Sequence, residues 1–188
     1  MTGREVYSKN KNLLMLLSKF FAIFPIFLRL SLYNGVRSIS GKLGMALRYT
    51  LLKSINPNIG DNVSIRDHVI IISPQKLSIG NNVSIHPYTY IDASGGISIG
   101  NNVSIACHSI LISESHTWNN DELPIKYNPI VPTPIIIEND VWCACGVKII
   151  GNCHIYPRVI IAAGAVVKGE IQSKQIVGGI PAKTIKNI

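Results

Sequence analysis

Among the five histidines of the chain, His116 stands where a regular repeat stops and a long irregular segment, SESHTWNNDELPIKYNPIVPTP, begins. Rigid backbone can hold an imidazole there from one side while a loop closes over a substrate from the other. An ordinary imidazole, with a pKa of about 6.5, is largely neutral near pH 7 and able to accept a proton, so the position suits a general base. Glu114, Asp92 and Asp121 are candidates to orient the ring, and each reads equally as a solvated acid. The other histidines, His68, His86, His108 and His154, give no pair four apart in the irregular segment, which weighs against a zinc site built from three ligands. The cysteines do not supply one either. Cys143 and Cys153 fall at inward positions of the repeat and read as small apolar core residues, while Cys107 and Cys145 fall at its corners, as reduced structural thiols.

The element that must position these groups is the repeat itself. IGDNVSI from Ile59 returns as IGNNVSI from Ile79 and again from Ile99, at a spacing of twenty residues. Inside each copy a period of six appears: Ile59, Ile65 and Ile71, then Ile79, Ile85 and Ile91, then Ile99, Ile105 and Leu111 are all aliphatic. Six matches neither a helix nor a strand. It matches a solenoid in which each hexapeptide makes one short strand and a corner, three hexapeptides close a triangular coil, and coils stack at roughly 4.8 Å. Twenty exceeds three hexapeptides by two, and the surplus falls in the turn residues SPQK (73–76) and ASGG (93–96), where it is expected to bulge outward. Strict hexapeptides resume after the long loop, 113–134, with Ile137, Cys143, Ile149, Ile155, Ile161 and Val167 in one inward row and Val141, Val147, Cys153, Val159 and Ala165 in the other. A loop of that length in a compact solenoid is expected to be functional, because ordering it costs entropy.

At 188 residues the chain suits one solenoid domain plus a front piece, divided as 1–58, 59–183 and a short tail, 184–188. The net charge of +8 belongs to the front: residues 1–58 hold nine Lys or Arg against Glu5 alone, and residues 59–188 hold nine of each sign. The front also contains LLMLLSKFFAIFPIFLRLSLY, from Leu13 to Tyr33. Lys19, Pro25 and Arg29 interrupt it, so it reads as an interfacial helix rather than a membrane span or a signal peptide. With a second helix near Leu43 to Ile55, it is expected to cap the first coil, to lie against an anionic cytoplasmic leaflet, or both. Nucleic acid is not expected as a partner, since no aromatic stacking platform accompanies the basic residues.

Residues 59–183 resemble the hexapeptide-repeat acetyltransferases, on the hexapeptide run, on His116 opening the loop, on NDVW from Asn139, on AAGAVVKGEI from Ala162 and on VGGIPAK from Val177. The sugar O-acetyltransferase branch, which includes the galactoside, maltose and O-antigen or capsule enzymes, is the most similar. The resemblance implies an all-β solenoid, a left-handed parallel β-helix with an N-terminal helical extension and one extruded loop, assembled as a cytoplasmic homotrimer. It implies acetyl-CoA as co-substrate, no metal, and direct transfer of the acetyl group to a sugar or a lipid-linked saccharide, with His116 as the base. By the same resemblance His86 and Asp92 meet the acceptor. Trp142, Cys145, Ala163 and Gly164 line the coenzyme slot, and Lys168 and Lys183 meet phosphates. The chain departs from the family pattern at Cys143 and Ala144, where isoleucine and glycine are common, and at Gly169, where a lysine often stands. An N-acetyltransferase of an amino sugar and a zinc enzyme of the γ-carbonic anhydrase type are the rival readings of the same fold.

Overall fold

A computed structural model describes residues 3–188. Helices α1 (Gly3–Ala22), α2 (Ile26–Gly35) and α3 (Gly41–Ile55) precede the solenoid. The apolar run expected as one helix is split at Pro25, whose ring fixes φ and which lacks the N–H that a continuous helix needs. Helix α3 covers the open end of the column by burying Leu51, Leu52 and Ile55 beside Ile59 of the first coil. Arg48 is fully buried on α3 with no carboxylate partner among the described residues. Its Nε donates to the Ile65 carbonyl at 3.0 Å, and one terminal nitrogen donates to the carbonyls of Val36 and Ile39 at 3.0 and 2.7 Å. Those last carbonyls follow the end of α2, where unpaired C=O groups favour a cation. Helix α1 lies outside α3 and is tied to the first coil through Asp61, which accepts from Tyr7 Oη at 3.0 Å and from Lys11 Nζ at 2.6 Å. The Lys11 ammonium, aided by the Tyr7 hydroxyl, holds the Asp61 carboxyl below the usual carboxylate range against some burial.

The column that follows has three faces of parallel strands. The first carries Ser64–Ile65, Ser84–Ile85, Ser104–Ile105, Val141–Cys143, Val159–Ile161 and Gln175–Gly179 in that order. The second begins with Ile70–Ile72, Tyr90–Asp92 and Ile110–Ile112, the third with Leu77–Ile79, Ile97–Ile99 and Ile135–Ile137. Strands Lys148–Ile155 and Val166–Ile171 turn the corner between those two faces and so join them. The register follows the sequence: Ser64 lies beside Ser84 and Leu77 beside Ile97 in the early coils, and Val141 beside Val159 later. Both inward rows are buried, from Ile59, Val63 and Ile65 to Ala165 and Val167. Burial pushes the thiols of Cys143 and Cys153 up to about 12, as expected of core residues.

The repeated phrase has a physical reading at each letter. A Cβ at Gly60 would lie 2.4 Å from the Gly80 carbonyl oxygen, so only glycine permits the coils to approach. The next residue of the phrase accepts through its side chain from the coil below, as Asn81 Oδ1 does from the Asp61 N–H at 2.7 Å. The fourth position adopts the left-handed conformation, with φ of 53, 59 and 57° at Asn62, Asn82 and Asn102, and builds a ladder of side-chain amides at 3.0 and 3.2 Å.

Three details differ from the sequence-based expectation. One residue of each surplus turn, Pro74 and Ala93, is buried at the core edge, while Gln75 and Lys76 lie exposed as an outward bulge requires. The last coil loses two residues: Ile149 lies beside Val167, but Cys153 lies beside Gly169. Finally, the expected tail 184–188 is not free, since Ala182–Asn187 pairs antiparallel with Gln175–Gly179 and supplies the last strand of the first face.

Candidate active site

The long loop leaves the column at Ser113 and returns at Thr133. Ser113 is fully buried, and its Oγ donates to the Asp92 carbonyl at 2.8 Å and accepts from the Gly95 N–H at 2.9 Å. Its own carbonyl accepts from Thr133 N–H at 2.7 Å, so one residue pins entry and exit. A Cβ at Gly95 would stand 1.6 Å from that carbonyl oxygen, which explains a glycine there. Beyond the root, Glu114–His116 pairs antiparallel with Ile130–Pro132, with His116 opposite Ile130.

Asn128 holds the tip of the loop. It is buried, its Nδ2 donates to the carbonyls of Asn120 and Leu123 at 3.2 Å each, and its Oδ1 accepts from the Asn120 N–H at 3.1 Å. Its backbone carbonyl lies 3.4 Å from His116 Nδ1. A proton on Nδ1 directed at that oxygen leaves the Nε2 lone pair as the acceptor. Among the described residues the orienting partner is therefore a loop carbonyl; Glu114, Asp92 and Asp121 make no hydrogen bond to the ring. His116 and Glu114 line a groove of about 480 Å³ with Trp118, Thr133, Ile150 and Lys168. The Thr133 hydroxyl is buried there without a hydrogen-bond partner among the described residues.

The other histidines are engaged elsewhere or lie on another corner. His68 and His108 sandwich Tyr88 with ring centroids 5.0 and 5.1 Å apart, and His154 Nε2 lies 2.6 Å from Glu138 Oε1. No three metal-ligating side chains come together among the described residues.

All the expected site residues but Lys183 fall into two groups, on the two edges of the second face. At the corner after that face, Asp92 lies in register with Ile112, and Ile112 with Ile150, so Asp92 shares the outward row that floors the His116 groove. Lys168 lines the same groove. At the corner before the face stand His86, Cys145, Ala163 and Gly164, with Trp142 half exposed on the adjoining first face. Gly164 N–H donates to the Cys145 carbonyl at 2.9 Å, which stacks these two coils directly. No atom outside its neighbours lies within 4 Å of a Cβ built on Gly164, so the corner is open. Cys145 Sγ lies 3.2 Å from Cys107 Sγ on the coil below. His86 is half-buried there, and burial, followed by the Arg66 charge, lowers its pKa from the ordinary value. Lys183 lies apart from both groups, in the hairpin that closes the column. Within one chain, His116 and Trp142 are thus not neighbours.

The comparison with known proteins agrees with this architecture. A galactoside acetyltransferase solved in complex with coenzyme A superposes with a TM-score of 0.76 at 25% identity, covering 86% of this chain and 79% of that one. The chain has the left-handed β-helix of the hexapeptide-repeat acetyltransferases. A maltose O-acetyltransferase from Clostridium difficile 630 shares the hexapeptide-repeat fold at a TM-score of 0.71 and 20% identity, covering 98% of this chain and 89% of that one. AntD, an N-acyltransferase from Bacillus cereus solved with dTDP-4-amino-4,6-dideoxyglucose and coenzyme A, shares it at 0.57 and 21%, covering 69% and 82%. At those identities the likeness is one of fold. In sequence, the chain is 33% identical over 72 residues to "Probable acetyltransferase Rv3034c" of Mycobacterium tuberculosis, over 38% of this chain and 24% of that relative's length. No protein-family model matches.

Proposed function

We propose that the chain is an acetyl-CoA-dependent acyltransferase that moves an acetyl group to a hydroxyl of a sugar or saccharide, with His116 as general base. The observation that carries this reading is the His116 imidazole in a groove with its Nδ1 3.4 Å from the Asn128 carbonyl, a contact that, with the proton on Nδ1, leaves Nε2 to accept one. In the reaction, Nε2 takes the proton of the acceptor hydroxyl as its oxygen attacks the thioester carbonyl. The tetrahedral oxyanion then collapses, the C–S bond breaks, and the imidazolium returns its proton to the departing thiolate. A general base supplies about 10² to 10⁴-fold, and positioning of the two substrates supplies more.

The two residue groups suggest how the substrates meet. The His116 groove, with Asp92 and Lys168, lies on one edge of the second face, and the Trp142–Cys145–Ala163–Gly164 corner lies on the other. Parallel columns related by a threefold axis bring the first edge of one copy against the second edge of the next, giving three equivalent sites in a homotrimer. In this reading His86 and Asp92 contact the acceptor, the open corner admits the narrow pantetheine arm, and Lys168 and Lys183 meet phosphates. The cytoplasm, where acetyl-CoA is available, is the proposed location, and a surface-polysaccharide precursor is the proposed acceptor. No helix among the described residues is long and apolar enough to cross a membrane.

Transfer to an amine is the second reading, favoured by the fold shared with AntD. Purified protein incubated with acetyl-CoA and a panel of hydroxyl and amino sugars, with free thiol followed over time, separates the two. We expect thiol release with a hydroxyl acceptor; release with amino sugars alone would replace oxygen by nitrogen, and flat traces throughout would overturn the proposal.

Asn128 acts through His116, and its substitution tests the tautomer argument. Asn128→Ala removes the amide that gathers residues 120–128 and loosens the carbonyl facing Nδ1. We expect kcat to fall by about tenfold with little change in KM for acetyl-CoA. Because the loop lies outside the column, the melting temperature of the solenoid should hardly move. A large drop in melting temperature with unchanged kcat would make Asn128 purely structural.

A further inference from the structure

The acyl-transfer reading leaves the outer surface of the helical cap unused. Helix α1 packs on the remainder of the cap through Tyr7, Leu14, Met15 and Phe21, with the Tyr7 ring edge-on to Tyr49 of α3. A helix packed on one side only should be polar on the other. Here the opposite side is apolar as well: Leu13, Leu16 and Phe20 are 56, 65 and 52% exposed, and beyond the end of α1 Ile23 and Phe27 are 78 and 71% exposed. Their spacing alternates three and four residues, so within α1 they form one stripe. Lys9 stands one turn before Leu13 on that stripe, Lys19 beside Phe20, and both are exposed.

We propose that this stripe is a docking surface for an anionic lipid bilayer, with Leu13, Leu16, Phe20, Ile23 and Phe27 entering the headgroup and acyl boundary. Charge selects the occupant. Residues 1–58 carry nine basic side chains and one acid, Glu5; with Arg48 buried and Lys11 paired with Asp61, the surface near the stripe is still strongly basic, with Lys9 and Lys19 exposed. A second copy of the chain seated on the same stripe would bring these positive fields together with almost no acid to answer them. An anionic leaflet answers them directly, each basic residue near its surface contributing about 1 kcal/mol, while the apolar side chains leave water. Only shallow insertion fits, since the two helices are separated at Pro25 and neither is long and apolar enough to span. The helical cap would then face the membrane with the catalytic column standing off it.

The test uses the full chain and two vesicle preparations, phosphatidylcholine alone and phosphatidylcholine with about one third phosphatidylglycerol. The intact protein should cosediment with the anionic vesicles, weakly with the neutral ones, and less as salt is raised. The double substitution Leu16→Glu with Phe20→Glu should lower the vesicle partition coefficient by at least about tenfold. Its melting temperature and oligomer size, by light scattering, should stay those of the parent chain. Lys9→Glu with Lys19→Glu should abolish the preference for anionic lipid while sparing the fold. Equal sedimentation of the parent chain and the Leu16/Phe20 variant, or sedimentation of neither, would overturn the proposal. So would a smaller oligomer in that variant with vesicle binding unchanged, which would give the stripe to a second copy.

Discussion

His116→Ala is expected to lower turnover by at least about a hundredfold with the oligomer intact, the low end of what a general base supplies. The structural cost should be small. His116 is exposed on a strand of the extruded loop, the one hydrogen bond of its ring among the described residues is the contact with the Asn128 carbonyl, and the column beneath is held by rows it does not join. Steady-state kinetics should place the loss in kcat, with KM for acetyl-CoA nearly unchanged, because the imidazole acts on the acceptor proton. The remaining histidines provide no substitute base beside it: His68 and His108 are stacked on Tyr88, His154 is paired with Glu138, and His86 lies across the second face. Near-normal turnover in the variant would remove His116 from the mechanism.

Ala163→Trp should abolish measurable transfer by a different route. Ala163 is exposed at the corner where Cys145 and Gly164 stack, and a large ring there fills the space proposed for the pantetheine arm. The inward rows on either side, Ile161 and Ala165, are untouched, so folding and melting temperature should be retained. Direct titration with coenzyme A should show binding weakened by at least about a hundredfold, and the loss of activity should follow the loss of binding. A variant that binds coenzyme A as the parent does would place the slot elsewhere.

Much of this architecture is written in the chain at short range. The aliphatic rows at every sixth residue state directly which side chains face the axis, and Gly60, Asn81 and Asn82 show why the repeated phrase has its particular letters. The long loop and His116 at its start were legible for the same reason, as a break in a strong period. What was not legible depends on contacts between residues distant in sequence. Asn128 reads as an ordinary turn residue before Pro129, and nothing local reveals that its amide ties residues 120–128 or that its carbonyl faces an imidazole twelve residues earlier. Arg48 reads as one more surface cation on a basic segment, yet it is buried, with its Nε and one terminal nitrogen donating to backbone carbonyls outside α3. The turn residues ASGG point to an outward bulge, whereas the core edge draws Ala93 in. The two-residue contraction after Val167 is invisible to a period search, since Ile171 and Val177 are apolar in either register.

In the proposed homotrimer, the separation of the expected site residues onto two edges of one face would put the active centre between neighbouring copies. Mixing tests this most directly. Chains carrying His116→Ala are combined with chains carrying Ala163→Trp, each inactive alone, and mixed oligomers are isolated through two different affinity tags. Each mixed trimer pairs one intact His116 groove with one intact slot across an interface, so activity should return to about one third of the parent level. Mixed trimers as inactive as either parent variant would contradict a site shared between copies.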